Sequence, residues 1–416
     1  MLNKSQIYAD IFPVSNGGRR ARGPTHPAGS VSCVVRLPNL MTGPRLLTSA
    51  ATAGVALTAA GVTAGGEVFR AMGAPKDLVL SHISASPHQT GGNFGNVEPP
   101  TPVEGDRAAA LAMLRRGDVG KPKKHLQFDV TPLPQGAADL AATWMGHASV
   151  LVELDGRRIL TDPVWSKRCS PSSIVGPARM HPVPHALSDL PPLDVVLISH
   201  DHYDHLDTAT VRKLATLHPE AVFVTPIGVG AHLEYWGIDP ARIREADWGG
   251  SITVGDITFN CCPARHFSGR GLQRNTTQWA SWAVQGPTNN FFFSGDTGIT
   301  DAFEKVGAEH GPFGLSIVAI GAYDRLWPDI HLNPEEAVDV HRMLNRDNLS
   351  DSLLLPIHWA TFNLALHDWA DPVQRLLPAA QVEQIPVITP MPGAHFDVLS
   401  RSGHGFETQS WWESAV

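Results

Sequence analysis

The stretch LISHDHYDHLD, residues 197–207, decides how this chain is read. It crowds His200, His202 and His205 together with Asp201, Asp204 and Asp207. Imidazoles and carboxylates packed this closely are unfavourable neighbours unless a cation holds them. The apolar run LDVVLIS leads into it and predicts a strand covered on both faces. LDTATVRKLATLHPE follows and predicts a helix with Leu206, Val211, Leu214 and Leu217 on one side. The motif H-x-H-x-D-H therefore falls in a strand-to-helix loop, where α/β proteins place chemistry. A divalent ion draws imidazole nitrogens and carboxylate oxygens to about 2.0–2.2 Å. His200 and His202 can face one ion, Asp204 and His205 a second. The plainer reading is a solvated, turn-forming loop.

Four side chains do not complete two sites, so further ligands are required at strand ends downstream. CCPARHFSGR places His266 just past a strand, FFFSGDTG places Asp296 at the end of an aromatic one, and LLLPIHWATF places His358 at the end of a third. Taken singly, each histidine is more often a hydrogen-bonded structural residue. Together they supply one more imidazole per ion and a carboxylate able to bridge the two.

Around these motifs the sequence alternates strands and helices. ATWMGHASVLVEL and RRILTDPV read as two strands joined by the Asp155–Gly156 turn. Strand AVFVTP, helix GVGAHLEYWG and the hairpin SITVGDITFNCCPA follow. Asn333 with Pro334 marks a helix start, and SLLLPIHW reads as the last strong strand. Hairpins among interleaved strands and helices predict a layered α/β architecture with mixed sheets.

Composition narrows the function. The 416 residues carry a formal charge of −8, which argues against a nucleic-acid surface. Hydrophobic content of 43% suffices for a large core. Cys33, Cys169, Cys261 and Cys262 have neither thiolate-zinc nor disulfide-framework spacing. Residues 1–75 read as a basic leader followed by a weakly apolar run, 46–66, with the character of an export signal, an anchor or a small-residue helix. Residues 76–140 read as a Pro/Gly-rich wrapping segment with one helical candidate, DRAAALAMLRR; 141–400 form the catalytic domain and 401–416 a tail.

TWMGHASVLVELDGRRILTDPVWSKRCSP, ISHDHYDHLD, PARHFSGRGL, WASWAV, FFFSGDTG, GPFGLSIVAIGAY, HLNPEEAV and PIHWATF occur in this order, with a weaker echo at GGNFGN. Over about residues 140–400 this set resembles the metallo-β-lactamase superfamily. Within it, the set resembles the branch of N-acylphosphatidylethanolamine-hydrolysing phospholipase D and RomA-like proteins. The resemblance implies an αββα four-layer sandwich holding two zinc ions. It implies His200, His202 and His266 on the first, Asp204, His205 and His358 on the second, and Asp296 between them. His/Asp sets also accept manganese or iron. The implied reaction is attack of zinc-activated water on a phospholipid or small phosphodiester, at a membrane surface, with Asp204 orienting the water. His331 would contact a phosphate oxygen or the leaving group, or else only cap a helix. A homodimer is a separate expectation that no motif in the sequence decides.

Other residues carry weaker expectations. Tyr323 reads as structural, and His147 as packing beneath the site. Trp327 reads as a loop residue able to meet lipid, and Arg265 and Arg270 as solvated arginines that could hold an anionic head group. Two other functions fit the sequence: a dinuclear ester or lactone hydrolase, and an envelope scaffold without activity.

Overall fold

The computed structural model describes residues 66–102, 120–271 and 273–416. The whole basic leader, 1–45, residues 46–65 of the apolar run and the helical candidate DRAAALAMLRR lie outside the described residues. Among the described residues no helix is long and apolar enough to cross a membrane.

Among the described residues thirteen strands form two mixed sheets. They are β1 (Leu140–Gly146), β2 (Ser149–Leu154), β3 (Arg157–Thr161), β4 (Val195–Leu197), β5 (Val222–Pro226), β6 (Ile243–Ala246), β7 (Ser251–Val254), β8 (Ile257–Cys262), β9 (Ser281–Gln285), β10 (Asn290–Phe293), β11 (Leu315–Ala319), β12 (Leu353–Ile357) and β13 (His395–Asp397). One sheet runs β13-β1-β2-β3-β4-β5-β6 and the other β12-β11-β10-β9-β8-β7. Pairing is parallel from β3 to β6 and from β10 to β12, and antiparallel elsewhere.

Parallel neighbours need crossover connections, and four of the five crossovers here carry α-helices, the one from β3 to β4 being a long loop with a single 3-10 turn at Leu187–Asp189. Thr208–Leu217 and Gly230–Tyr235 follow β4 and β5, while Ala302–His310 and Pro334–Asn345 follow β10 and β11. Val211, Leu214 and Leu233 pack with Leu160, Val196 and Phe223 on the outside of the first sheet. Burying each such side chain contributes about 1.5–3 kcal/mol. On the second sheet Phe303 packs edge-on to Phe292 at 5.7 Å. Phe291 and Phe293 join Trp144, Val150, Ile159, Leu197, Phe259 and Trp282 in the shared core. The layers are thus helix, sheet, sheet, helix, as the family resemblance implied.

This pairing sends β3, β4, β8, β10 and β12 out with their C-terminal ends carrying Asp162, His200, His266, Asp296 and His358. Side chains from both sheets can therefore meet at one edge. The indole of Trp282 donates to Ile198 O (2.9 Å), tying the two sheets together beneath the H-x-H loop.

The sequence reading of two strands before Pro163 needs correction, because the structure has three. Gly146 (φ 103°) and His147 (φ 55°) take left-handed conformations and close a hairpin inside what reads as one long strand. The wrapping segment contributes Val79, Ile83, Phe94 and Leu126 to the core, and the C-terminal stretch buries Trp411 and Trp412.

Candidate metal centre

The H-x-H-x-D-H loop is shaped from outside. Asp162, itself in a left-handed conformation (φ 32°), accepts from Ser199 N at 2.7 Å, Ser199 Oγ at 2.5 Å and His205 Nδ1 at 2.7 Å. Ser199 Oγ in turn lies 2.9 Å from His200 Nδ1. These contacts occupy both Nδ1 atoms and turn both Nε2 atoms inward, the usual way an imidazole is set for a metal. His266 is set likewise, its Nδ1 donating to Ile330 O at 2.8 Å.

Asp201 points the other way. It accepts from Gly269 N (2.7 Å), Thr277 Oγ1 (2.9 Å) and His232 Nε2 (3.3 Å). Burial opposes its ionisation, yet the donors from His232 and the nearby charges hold its carboxyl well below the ordinary range. Asp207 caps the following helix, accepting from Ala209 N at 3.2 Å and from Ser166 N at 3.0 Å. Asp201 and Asp207 thus anchor the loop.

The inward atoms form two adjoining clusters. In the first, His202 Nδ1 lies 2.9 Å from His200 Nε2 and 3.3 Å from His266 Nε2. In the second, His205 Nε2 and His358 Nε2 are 3.5 and 3.4 Å from Asp204 Oδ2. Asp296 Oδ2 stands between them, 3.1 Å from both His205 Nε2 and His358 Nε2. It is also 3.9 Å from His200 Nε2 and 3.8 Å from His266 Nε2. All seven predicted ligands therefore meet in one place.

The donor set fits divalent cations. Atoms about 2.1 Å from a tetrahedral ion stand about 3.4 Å from one another, and the separations above run from 2.9 to 3.9 Å. His205 Nε2, His358 Nε2 and Asp296 Oδ1 are buried without a hydrogen-bond partner, a costly state for polar atoms unless an ion takes them. The electrostatics agree. Burial, followed by the neighbouring imidazoles, holds His200 well below its ordinary value. Burial also works against protonation of His358, but Asp296 and Asp204 raise it to about 9. The two carboxylates draw positive charge into the second cluster.

Two residues escaped the sequence reading. His147, expected beneath the site, puts Nε2 2.9 Å from Asp204 Oδ2 and its ring 4.0 Å from that of His358. The hairpin carries it there, with His147 N donating to Thr361 Oγ1 at 2.7 Å. Asp162 is the other. An aspartate ending an apolar strand is the same signal that picked out Asp296, and in LTDPV it could have been read.

His331 lies in the centre, its ring 5.3 Å from His266 and 5.1 Å from His358. Its Nδ1 stands 3.8 Å from Asp296 Oδ2 and has no hydrogen-bond partner. Burial pushes its pKa down to about 3, so the ring is neutral. The helix start is capped instead by Asn333, which accepts from Glu336 N at 3.0 Å.

The remaining expectations divide. Tyr323 is structural: its hydroxyl donates to Asp371, its ring stacks on His367 at 4.5 Å, and burial followed by Asp371 pushes the phenol well above its ordinary range. Trp327 is buried with its indole donating to Ala322 O, so it does not offer a face to lipid. Arg270 is not solvated but buried, donating to Asp201 O (2.7 Å) and Leu206 O (2.6 Å) behind the loop. Arg265 pairs with Asp329 at 3.1 Å.

A family model described as a β-lactamase superfamily domain matches residues 157–359. An uncharacterized protein of Mycobacterium tuberculosis is 46% identical over 347 residues, 82% of this chain and 91% of that protein. N-acyl-phosphatidylethanolamine-hydrolyzing phospholipase D 1 of Caenorhabditis elegans is 41% identical over 241 residues, 55% of this chain and 66% of the relative. Outer membrane protein RomA of Klebsiella pneumoniae is 41% identical over 102 residues, 24% of this chain and 74% of RomA.

Proposed function

The chain belongs to the β-lactamase superfamily as a metal-dependent hydrolase, and from that premise we propose that it is a zinc-dependent phosphodiesterase. Its substrate is N-acylphosphatidylethanolamine or a related phospholipid, cleaved to phosphatidic acid and an N-acylethanolamine at a membrane surface. The observation that carries the reading is the convergence of His200, His202, His266, Asp204, His205, His358 and Asp296. The lipid assignment draws on the named activity of the nematode relative.

Two zinc ions bound there would supply Lewis acidity, making water a nucleophile near neutral pH and offsetting charge on the phosphodiester oxygens. Asp204 orients the attacking water and receives its proton, and His147 holds that carboxylate in place. The water oxygen bonds to phosphorus as the bond to the ethanolamine oxygen breaks, and the departing oxygen takes up a proton. His331, neutral when buried, donates a hydrogen bond to a phosphate oxygen rather than arriving as an imidazolium.

The test is turnover on a lipid panel. Purified protein should release N-acylethanolamine from vesicles containing N-acylphosphatidylethanolamine and should cleave a bis-aryl phosphodiester. Hydrolysis of an aryl ester or a lactone with no attack on either phosphodiester would move the protein to the carbonyl hydrolases.

A further inference from the structure

His266 follows β8 in a stretch without continuous strand pairing, yet its backbone must be held for its ring to stay aimed. Buried peptide groups need partners, and those of His266 come from far upstream. Asn96 accepts from His266 N through Oδ1 (3.0 Å) and donates to His266 O through Nδ2 (2.9 Å). The indole of Trp279 also approaches Asn96 Oδ1 (3.2 Å), which fixes the orientation of the amide. One side chain thus does for His266 what a neighbouring strand would do.

The flanking residues are fastened to the same region. Phe94 N donates to Asn275 O (2.8 Å), Arg265 Nη2 donates to Pro99 O (2.8 Å), and Thr101 N donates to Asp329 Oδ2 (2.8 Å). Asp329 precedes Ile330, whose carbonyl receives His266 Nδ1–H. Residues 94–101 therefore clasp both the backbone of His266 and the loop that orients its ring.

We propose that Asn96 is a positioning residue for the first metal site, through which residues 94–101 set metal affinity at His200, His202 and His266. The proposal rests on His266 being a metal ligand. Asn96 bonds to the backbone of His266 and offers no atom to the ligand cluster, so its effect runs through His266 and is confined to one of the two sites. Outer contacts of this kind change metal affinity by about 10–100-fold.

Zinc titration of the full chain against a competing chelator, with the absorption spectrum of the cobalt-loaded protein, tests this. Asn96→Ala should weaken one zinc site by about 10–100-fold, leave the other unchanged and shift the cobalt bands. Asn96→Asp keeps the acceptor and loses the donor to His266 O. It should show a smaller loss in the same direction, and it carries the test alone if the alanine variant does not fold. Val79→Ala, which thins the packing of the same upstream segment, should lower Tm without altering zinc affinity. Unchanged affinity and spectrum in the Asn96 variants would overturn the proposal. So would equal weakening of both sites, or the same weakening in Val79→Ala, since either means general loosening. A wild-type protein that binds no zinc would overturn the metal reading itself.

Discussion

At the level of single residues, the centre was legible where chemistry is local in sequence. H-x-H-x-D-H announces itself by spacing, and His266, Asp296 and His358 each close a strongly apolar run, where a polar side chain stands out. His147 does not, because GHAS looks like strand interior until the left-handed turn at 146–147 is known. His202→Ala and Asp296→Asn should reduce hydrolysis to background while the folded-state circular dichroism is retained. Turnover in either variant would refute the assignment of these side chains. Asp162→Asn tests the outer contacts. It keeps the shape but weakens acceptance from His205 Nδ1, and zinc affinity should fall by about 10–100-fold. Wild-type affinity in that variant would mean that Asp162 only braces the backbone.

Elements were readable where their own residues state their limits. Asn333 and Glu336 form the capping box that starts the helix Pro334–Asn345, and Gly255–Asp256 turns the hairpin β7–β8. Three-residue β13 has no such marks, since its strand character comes from pairing with β1 more than 240 residues away. The helix Lys76–Ile83 illustrates docking through a titratable side chain. It buries Val79 and Ile83, and His82 Nδ1 lies 2.5 Å from Glu245 Oε2 with Nε2 3.2 Å from Glu234 Oε2. The bond to Glu245, against a smaller cost of burial, raises the pKa of His82 above 6.5. A raised folded-state value means that the contribution is fully present below the unfolded pKa of 6.5 and is lost as pH rises through the folded value. His82→Gln should therefore lower Tm at about pH 5.5 and lose most of that effect by about pH 9. A difference independent of pH would show that packing, rather than charge, docks the helix.

For the whole molecule, a layered α/β architecture with mixed sheets could be read from alternating strands and helices and the four-layer sandwich only from the family resemblance, but how the ends close could not be read. Residues 401–416 read as a tail, yet Trp411 lies 6.5 Å from Trp144 and 5.7 Å from Trp359, the residue after His358. No periodicity in the last residues signals this, because their partners are all distant in sequence. Trp411→Ala should cost about 3–5 kcal/mol of stability by chemical denaturation. A loss under about 1 kcal/mol would place that tryptophan outside the cooperative core. The same closure brings the ends of both sheets to one edge, where buried nitrogens and oxygens lack partners. Metal ions at that edge would satisfy these atoms. Elemental analysis of the purified full chain measures them directly, and about two zinc ions per chain are predicted, falling in His202→Ala. Less than about one ion per chain, after zinc loading and removal of the excess, would contradict the two-metal centre.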